Sequence, residues 1–538
     1  MTLLRLALRL QIVGFLATAA IGTLSALANG LGFAQIVGNS PTERVVFASQ
    51  MEALGKQLSY LLPVPSHLDT LAGYLQWRAF GTLGLVYAFW ALVTATGAAR
   101  GDEERGYVEM WLSAGVSRVR YIAARGFGFS LVAAASLAAV VVSTYVVAQI
   151  VSEPIPLAWI AAEGISLFAL ALAAYGVGLA AAQLVSTRRG AMGVGGVVLL
   201  VLYGLAAAAR VSEPSPLARL SPFWLQEQNR PLLGDGLDAS ATLAMLFLAA
   251  VLIAISVIAF ARRDLGAAVF GVRGSTGSRV TLPSRNPLLR LPVLAPLWQQ
   301  RVWIVSWAIG LTVLAAFVVS LAKTMVDSIG SESSVMRVYF ERLGLVGYSS
   351  FIGVIWFSIL SLILSIYVVA QVAAWSADDA EGRLAEILSA PISRARVVIE
   401  RLAVLLLGCA IVLAVASIVT YAQAEAQSID IDAGRFALWT ALILAVVFAL
   451  AAVGHLVASW RPRVAVIALS AVAVSSYFIQ ELGPLFDWPE AVRNLSVYSL
   501  YGTPMTEVSW SGIAGLLGVG IVGTVFTLRA MQTRDVGA

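Results

Sequence analysis

Lysine, cysteine and histidine are all scarce in this chain of 538 residues. The only lysines are Lys56 and Lys323, and neither completes the Gly-x-x-x-x-Gly-Lys-Ser/Thr sequence of a phosphate loop. The chain therefore cannot by itself be a conventional P-loop ATPase. The single cysteine, Cys409, excludes an intramolecular disulfide, and its apolar surroundings predict a small buried hydrophobic side chain.

Charged residues are also few, at 12% of the chain, whereas a soluble globular protein is roughly a quarter charged. Hydrophobic residues make up 59%, and the mean hydropathy is +0.86. This composition predicts an integral membrane protein. The net charge of +5 could suggest a nucleic-acid partner, but the arginines lie beside apolar stretches, where membrane topology explains them better. No nucleic acid is therefore predicted as a partner.

Apolar stretches long enough to cross a bilayer occur repeatedly along the chain. A transmembrane helix needs about 20 apolar residues. Twelve segments qualify, and the eleventh is the weakest, with bending back into the membrane as its alternative. The predicted spans are 10–30, 79–99, 126–151, 158–184, 190–210, 239–261, 303–325, 351–374, 402–424, 435–459, 464–480 and 510–529.

The positions of the basic residues predict the orientation. Placing the N-terminus in the cytoplasm puts most of the 35 Lys and Arg residues on the inside, as the positive-inside rule expects. Both termini are then cytoplasmic, because the number of spans is even. A cleaved signal peptide is the alternative for "MTLLRLALRLQIVGFLATAAIGTLSALANG" at the start.

The chain contains an internal repeat. "LSAGVSR" at 112–118 and "LSAPISR" at 388–394 are offset by 276 residues (388 minus 112), as are Gly106 and Gly382, and Arg125 and Arg401. "RRDLGAA" follows the sixth span, and "TRDVGA" follows the twelfth. The repeat predicts two six-span halves, 1–262 and 303–538, joined by a cytoplasmic linker and interfacial segment, 263–302. An even number of spans per half predicts a pseudo-twofold axis normal to the membrane.

Two loops, at 102–118 and 378–394, predict a short helix between the second and third spans of each half. In both, apolar residues follow the spacing i, i+3, i+4 and i+8, which lies on one helix face. A glycine stands before this face and an arginine after it. The faces are Val108, Trp111, Leu112 and Val116, then Leu384, Ile387, Leu388 and Ile392; the glycines are Gly106 and Gly382, and the arginines Arg118 and Arg394.

Acidic residues open both loops, and we expect them to complement the positive N-terminus of the short helix. We expect Ser117 and Ser393 to cap the helices that follow. The acidic residues are Asp102, Glu103 and Glu104 in the first loop and Asp378, Asp379 and Glu381 in the second.

These short helices have two interpretations. One is an amphipathic helix lying on the membrane surface, which would usually carry basic residues on its polar face. The other is a docking element for a cytoplasmic partner. The acidic N-terminal ends favour docking, because anionic lipid would repel them, and a face that serves both roles is also consistent with the pattern.

These features resemble the permease of a type-2 ABC exporter, in the branch with twelve spans on one chain that is described as exporting polyketide antibiotics (tetronasin-like). The residues that carry the resemblance are the paired loops "EERGYVEMWLSAGVSR" and "AEGRLAEILSAPISR" and the span ends "RRDLGA" and "TRDVGA". The resemblance covers essentially the whole chain. One departure is Gly115 in the first loop, where the second loop has Pro391.

The resemblance implies a bacterial plasma-membrane protein that exports hydrophobic or amphipathic small molecules by alternating access. The two short helices would be coupling helices, seated on two copies of a separate ABC ATPase. ATP and Mg would bind that partner, and no cofactor or metal is expected on this chain. The chain would then be a transport subunit and not an enzyme, with membrane lipid and the cargo as its other partners.

Aromatic segments after the fifth and eleventh spans occupy the same place in each half. "LSPFWLQEQNRPLLGDG" and "LSVYSLYGTPMTEVSW" both begin with Leu-Ser. In the family such re-entrant helices often close the pathway on the outer side, so Phe223, Trp224, Tyr498 and Tyr501 are candidate outer-gate residues. Anchoring of Trp and Tyr among lipid headgroups is the alternative.

Two other function classes are weighed against the exporter. A proton-coupled twelve-span secondary drug exporter would need titratable groups deep in its spans, and only Glu163 and His455 are candidates. A membrane enzyme would need a clustered catalytic set, but His67 and His455 lie on opposite sides of the predicted membrane. No catalytic residue is predicted.

Overall fold

The computed structural model describes residues 3–57, 63–211, 216–267, 291–329, 348–380, 382–483, 488–505 and 507–534. The chain divides into two compact units, residues 1–279 and 280–538. Most of the predicted linker lies outside the described residues, as do Glu381 and the "DVGA" end of the chain.

The first unit consists of helices and turns. Its α-helices in the described residues are Leu3–Arg9, Ile12–Val37, Pro41–Gln57, Leu71–Leu75, Gly81–Thr96, Asp102–Glu104, Tyr107–Ser113, Arg118–Ile150, Leu157–Leu184, Arg188–Val211, Pro222–Glu227 and Ala239–Arg262. Two π-helical segments, Gln76–Phe80 and Gly97–Gly101, interrupt one long helix, and Ala218–Leu220 and Pro231–Leu233 are 3-10 helices.

The second unit has the same character. Its described α-helices are Leu294–Gln299, Arg301–Ile329, Tyr348–Ala380, Arg383–Ser389, Arg394–Ala426, Ala433–Trp460, Pro462–Leu482, Glu490–Arg493 and Trp510–Thr533. A minimal antiparallel pair of strands, Gly502–Thr503 and Glu507–Val508, lies before the last helix.

Twelve helices among the described residues are long and apolar enough to cross a membrane, which confirms the predicted all-helical membrane fold. We number them spans 1 to 12, six in each unit. They are Ile12–Val37, Leu71–Glu104, Arg118–Ile150, Leu157–Leu184, Arg188–Arg210, Ala239–Arg262, Trp303–Ser320, Phe351–Asp379, Arg394–Ala426, Ala433–Trp460, Val464–Leu482 and Trp510–Thr533.

Corresponding spans pack together in each unit. Span 4 lies against spans 2, 5 and 6, and span 10 lies against spans 8, 11 and 12. Span 1 packs along span 3, and the helix containing span 7 packs along span 9. Each unit is therefore built around the fourth of its six spans.

Small residues permit the close packing of span 4. A β-carbon added at Gly178 would lie 2.8 Å from the β-carbon of Ala95 and 3.2 Å from the α-carbon of Leu92, both on span 2. One added at Gly176 would lie 2.9 Å from the β-carbon of Leu252 on span 6. The small-residue stretch 173–183 therefore brings span 4 against two neighbours at once.

We expect Gly178→Ala to lower the stability of the protein by about 1–3 kcal/mol, because the added methyl group must push apart two packed helices. The measurement is thermal unfolding of the purified protein in one detergent. Gly193→Ala is the matched control, since nothing lies within 4 Å of a β-carbon at that position. Equal unfolding temperatures for the two variants would contradict the close approach.

Candidate functional site

Each predicted loop forms a short helix, as expected, but the helix begins later than the acidic residues. We call Tyr107–Ser113 the first loop helix and Arg383–Ser389 the second loop helix. The expectation that the acidic residues lie at the N-termini of the loop helices is wrong for those that the structure describes, whereas Glu381 lies outside the described residues. Asp102–Glu104 form the last turn of span 2, and Asp378 and Asp379 lie near the end of Tyr348–Ala380.

A glycine in the left-handed region separates span from loop helix in both units. Gly106 has φ +71° and Gly382 has φ +75°, and no atom of the described residues lies within 4 Å of a β-carbon built on either. Backbone conformation, and not lack of space, is therefore the reason for glycine at these positions. The acidic residues in the first turns of the loop helices are Glu109 and Glu386.

The predicted caps of the next spans are present. Ser117 Oγ accepts the backbone N–H of Arg120 at 3.3 Å, and Ser393 Oγ accepts that of Arg396 at 3.2 Å. Spans 3 and 9 therefore begin at corresponding residues.

Asp102 lies at the centre of a buried polar cluster in the first unit. Its carboxylate is fully buried, 2.9 Å from Nε of Arg125 on span 3. The hydroxyl of Tyr121 donates to the same oxygen at 2.9 Å. The ion pair joins the last turn of span 2 to span 3, on either side of the first loop helix.

Glu103 links the end of span 2 to span 6. It accepts a hydrogen bond from Arg100 at 2.9 Å and makes a two-pronged ion pair with Arg263, just after span 6. Arg100 is itself buried and donates to the carbonyls of Ala182 and Ala267, both at 2.6 Å. Glu104 has a different role, since it accepts the backbone N–H of Arg188 at 2.7 Å, at the start of span 5.

The second unit has a reduced version of this cluster. Asp378 pairs with Arg401 of span 9 at 3.0 Å and with Arg383 of the second loop helix at 3.2 Å. Asp379 pairs with Arg534 after span 12. The pairing scheme is the same as in the first unit, but the Asp378 side chain is 30% exposed, whereas that of Asp102 is fully buried.

The arginine that follows each loop helix holds the end of the sixth span of its unit. Arg118 donates to the carbonyls of Ala261 and Arg263. Arg394 donates to the carbonyls of Met531 and Arg534 at 2.8 and 2.7 Å. Both arginines therefore satisfy carbonyl groups that a helix end leaves without a partner.

The predicted apolar faces mostly pack onto their own units. Val108 and Leu384 are fully buried, and Leu388 and Ile392 pack with Leu384 against spans 9 and 12. Trp111, Leu112 and Val116 are half-buried. Ile387 is different, because it is 39% exposed.

One exposed apolar residue was missed by the sequence reasoning. Met110 on the first loop helix is 54% exposed, although it lies outside the predicted apolar face. Arg125 and Arg401 were noted only as marks of the repeat, and no role in the site was predicted for Arg100. The repeated offset of Asp102–Arg125 and Asp378–Arg401 was the signal that could have predicted the pairing.

The candidate gate residues lie in the segments after spans 5 and 11. Phe223, on the helix Pro222–Glu227, is buried against Tyr203, and Trp224 beside it is half-buried. Tyr498 donates to Ser365 at 2.7 Å, and the Tyr501 hydroxyl lies 3.2 Å from that of Ser361. Burial raises the pKa of both tyrosines to about 12, so their hydroxyls stay protonated at neutral pH.

Burial of these aromatic residues bears on the alternative explanation for them. Phe223, Tyr498 and Tyr501 are buried in their own units, so lipid headgroups do not surround them. A gating role for the four residues stays a prediction.

A polar cavity of about 220 Å³ lies in the first unit, at the end of the unit opposite the loop helix. Its lining residues include Gln76 and Trp77 near the start of span 2, Arg210 at the end of span 5, and Gln226 and Glu227 on the helix Pro222–Glu227. Arg210 pairs with Glu227. Sequence reasoning did not predict this cavity.

Within the part of the chain that the structure describes, no group of three or more His, Cys, Asp or Glu residues could hold a metal ion.

The fold and these loops define a multi-pass helical membrane protein. Residues 289–531, somewhat less than half of the chain, match the family model described as "Multidrug efflux system permease Rv1217c, C-terminal domain". The second unit is therefore similar to the C-terminal domain of a multidrug efflux permease, a transport protein. No curated protein matches the chain.

We expect Asp102→Asn to lower stability by about 3–5 kcal/mol, because it leaves the Arg125 guanidinium buried without a counter-charge. Asp378→Asn should cost about 1 kcal/mol or less, since that pair is partly exposed. Thermal unfolding in one detergent measures both. The double variant Asp102→Leu with Arg125→Leu is the control and should recover part of the loss; equal losses in the two single variants would contradict the difference in burial.

Proposed function

We propose that this protein is the permease of an ATP-driven exporter of hydrophobic or amphipathic small molecules, powered by two copies of a separate ABC ATPase. The observation that carries the proposal is the pair of loop helices, one in each unit at the same place in the order of spans. The similarity of the second unit to a multidrug efflux permease supports an outward direction.

The way the loop helices are held suits the transmission of motion. Each follows a left-handed glycine and packs one buried residue, Val108 or Leu384, into its own unit. The pairs Asp102–Arg125 and Asp378–Arg401 join the spans on either side. A force on either loop helix would therefore reach three spans of its unit through ion pairs and packed side chains.

The outward sides of the loop helices offer apolar contacts to a partner. Met110 and Ile387 are exposed large apolar side chains at the ends of their units that we assign to the cytoplasm. Glu109 and Glu386 beside them are exposed, and Arg383 is the one basic residue within either loop helix, whereas a helix lying on anionic lipid usually carries several basic residues on its polar face. We therefore assign the surface to a protein partner, with ATP and Mg bound there and not on this chain.

The repeat supports two docking contacts on one chain. The loop glycines, serine caps, carboxylate–arginine pairs and carbonyl-binding arginines recur in both units. We infer that the chain arose by tandem duplication and that both termini are cytoplasmic in a bacterial plasma membrane. The two contacts would differ, because Met110 corresponds to Glu386 and Trp111 to Ile387.

We propose that the cargo class is antibiotic or drug-like, with a polyketide as one candidate. The loop helices would carry ATP-driven motion into the spans, and the aromatic segments after spans 5 and 11 would close the pathway on the outer side. No covalent chemistry on this chain is required.

The test is affinity purification of the tagged protein from its native membrane in mild detergent, with mass spectrometry of what is recovered. We expect an ATP-binding subunit at two copies per permease. Met110→Asp together with Ile387→Asp should abolish its recovery, because both charges would lie in the apolar contacts. The variant must still elute as a folded monodisperse protein.

Leu220→Asp together with Leu495→Asp is the matched control. These leucines are also exposed, at 56% and 70%, and each stands in the Leu-Ser pair after the fifth span of its unit, but they lie at the opposite ends of the units. The ATPase should still be recovered with this variant. Absence of any ATPase with the unchanged protein, together with transport driven by a pH gradient alone, would favour the proton-coupled secondary exporter instead.

A further inference from the structure

Glu163 on span 4 is a carboxyl group buried in the first unit without a cationic partner. It is completely shielded from solvent. Its two oxygens accept hydrogen bonds from the side-chain amides of Gln76 at 2.9 Å and Gln226 at 3.4 Å. Among the described residues, no Arg, Lys or His lies within ion-pair distance of it.

This environment favours a neutral carboxyl group. Burying an isolated carboxylate costs far more than burying a hydrogen-bonded neutral group, and two uncharged amides offset only part of that cost. Each buried carboxylate of the loop clusters, by contrast, has an arginine against it. Glu163 is therefore stabilised by binding a proton, whereas the buried carboxylates of the loop clusters are stabilised by arginine side chains.

The charged residues near Glu163 are either paired with each other or exposed. Arg210 of span 5 and Glu227 of the helix Pro222–Glu227 pair with each other. Arg230 and, on span 2, Arg78 are exposed. In the described part of the unit, neither span 3 nor span 6 directs an ion pair or hydrogen bond to Glu163. Among the described residues, the two glutamines alone donate hydrogen bonds to its oxygens.

The polar cavity reaches the two glutamines from the outside of the unit. Gln76 and Gln226 are both among its lining residues, so a single layer of amide side chains separates the cavity from Glu163. Two buried polar atoms, Oε1 of Gln76 and Nη1 of Arg210, have no hydrogen-bond partner among the residues that the structure describes. A cavity of about 220 Å³ with unsatisfied polar groups has room for several water molecules, which would carry protons.

The second unit does not repeat this polar cluster. At the offset of 276, Trp439 corresponds to Glu163 and Ile352 to Gln76. Aligning the Leu-Ser pairs matches Tyr501 to Gln226, and the rings of Trp439 and Tyr501 pack with centroids 5.7 Å apart. Because aromatic and aliphatic side chains fill this place in one unit, the six-span fold does not itself require the carboxyl group.

The local helix geometry adds a separate indication. Gln76 opens a π-helical segment, Gln76–Phe80, within span 2. Such segments frequently mark functional sites in helices, and this one includes two of the cavity-lining residues, Gln76 and Trp77.

We propose that Glu163, with Gln76 and Gln226, is a proton-binding site of the first unit that exchanges its proton with water in the polar cavity. The bound form is the neutral carboxyl group. On release, the proton passes to cavity water, and the carboxylate keeps the two amide hydrogen bonds. If the chain is the exporter proposed above, transport depends on the pH of the side that the cavity faces.

The test is infrared difference spectroscopy of the purified full chain in lipid nanodiscs, titrated over pH in light and heavy water. We expect a carbonyl band of a protonated carboxyl group that disappears as pH rises and is lost in Glu163→Gln. Asp235→Asn, which removes an exposed carboxylate at the same end of the unit, is the matched control and should leave the band unchanged. If Glu163→Gln does not fold, Glu163→Asp should shift the band.

Two results would overturn the proposal. One is a band that is absent from the unchanged protein or persists unaltered in both Glu163 variants. The other is a band that sodium or potassium removes at constant pH, which would make the site one for a metal cation. The spectra need neither the ATPase nor the cargo. The result for Glu163 could therefore be interpreted even if the exporter proposal failed.

Discussion

The contact on which each loop depends is the ion pair between the end of one span and the start of the next. Asp102 with Arg125, and Asp378 with Arg401, join spans on either side of a chain reversal at a left-handed glycine. A buried carboxylate is stable only beside its arginine, so the pair fixes where span 2 ends relative to span 3. The position of the loop helix, and with it any partner contact, follows from that constraint.

Both units have the same carboxylate–arginine pairs, but these pairs have more supporting hydrogen bonds in the first unit than in the second. In the first, Tyr121 and Arg100 reinforce the carboxylates, and the corresponding residues of the second are Val397 and Ser376. The same contrast occurs at the other end, where Glu163 and its glutamines correspond to Trp439, Ile352 and Tyr501. At these two places the first unit therefore has buried charged and amide side chains, which are costly to bury, where the second has mainly apolar and aromatic ones.

The sequence predicted the spans closely, because a bilayer sets a minimum length of apolar residues and that requirement can be counted along the chain. It also predicted both loop helices, since their apolar spacing is local. It placed the acidic residues wrongly: Asp102–Glu104 continue span 2, and only the left-handed glycine ends it. Gly106 and Gly382 were identified as matching positions of the repeat. Their left-handed backbone conformation could not be read from the sequence, because glycine adopts many other conformations as well.

The sequence by itself determined that this is a membrane protein, how many spans it has, and that it contains a repeat. In that repeat Asp102 corresponds to Asp378, and Arg125 corresponds to Arg401. These properties follow from the amino-acid composition and from the spacing of residues along the chain. The tertiary structure decided which charged side chains form ion pairs. It also decided that Met110 and Ile387 are exposed while Leu384 and Leu388 are packed. At the other end of the first unit, it placed Gln76 and Gln226 against Glu163 beside a cavity. Those facts join residues far apart in the chain, and only packing of the spans brings them within hydrogen-bonding distance.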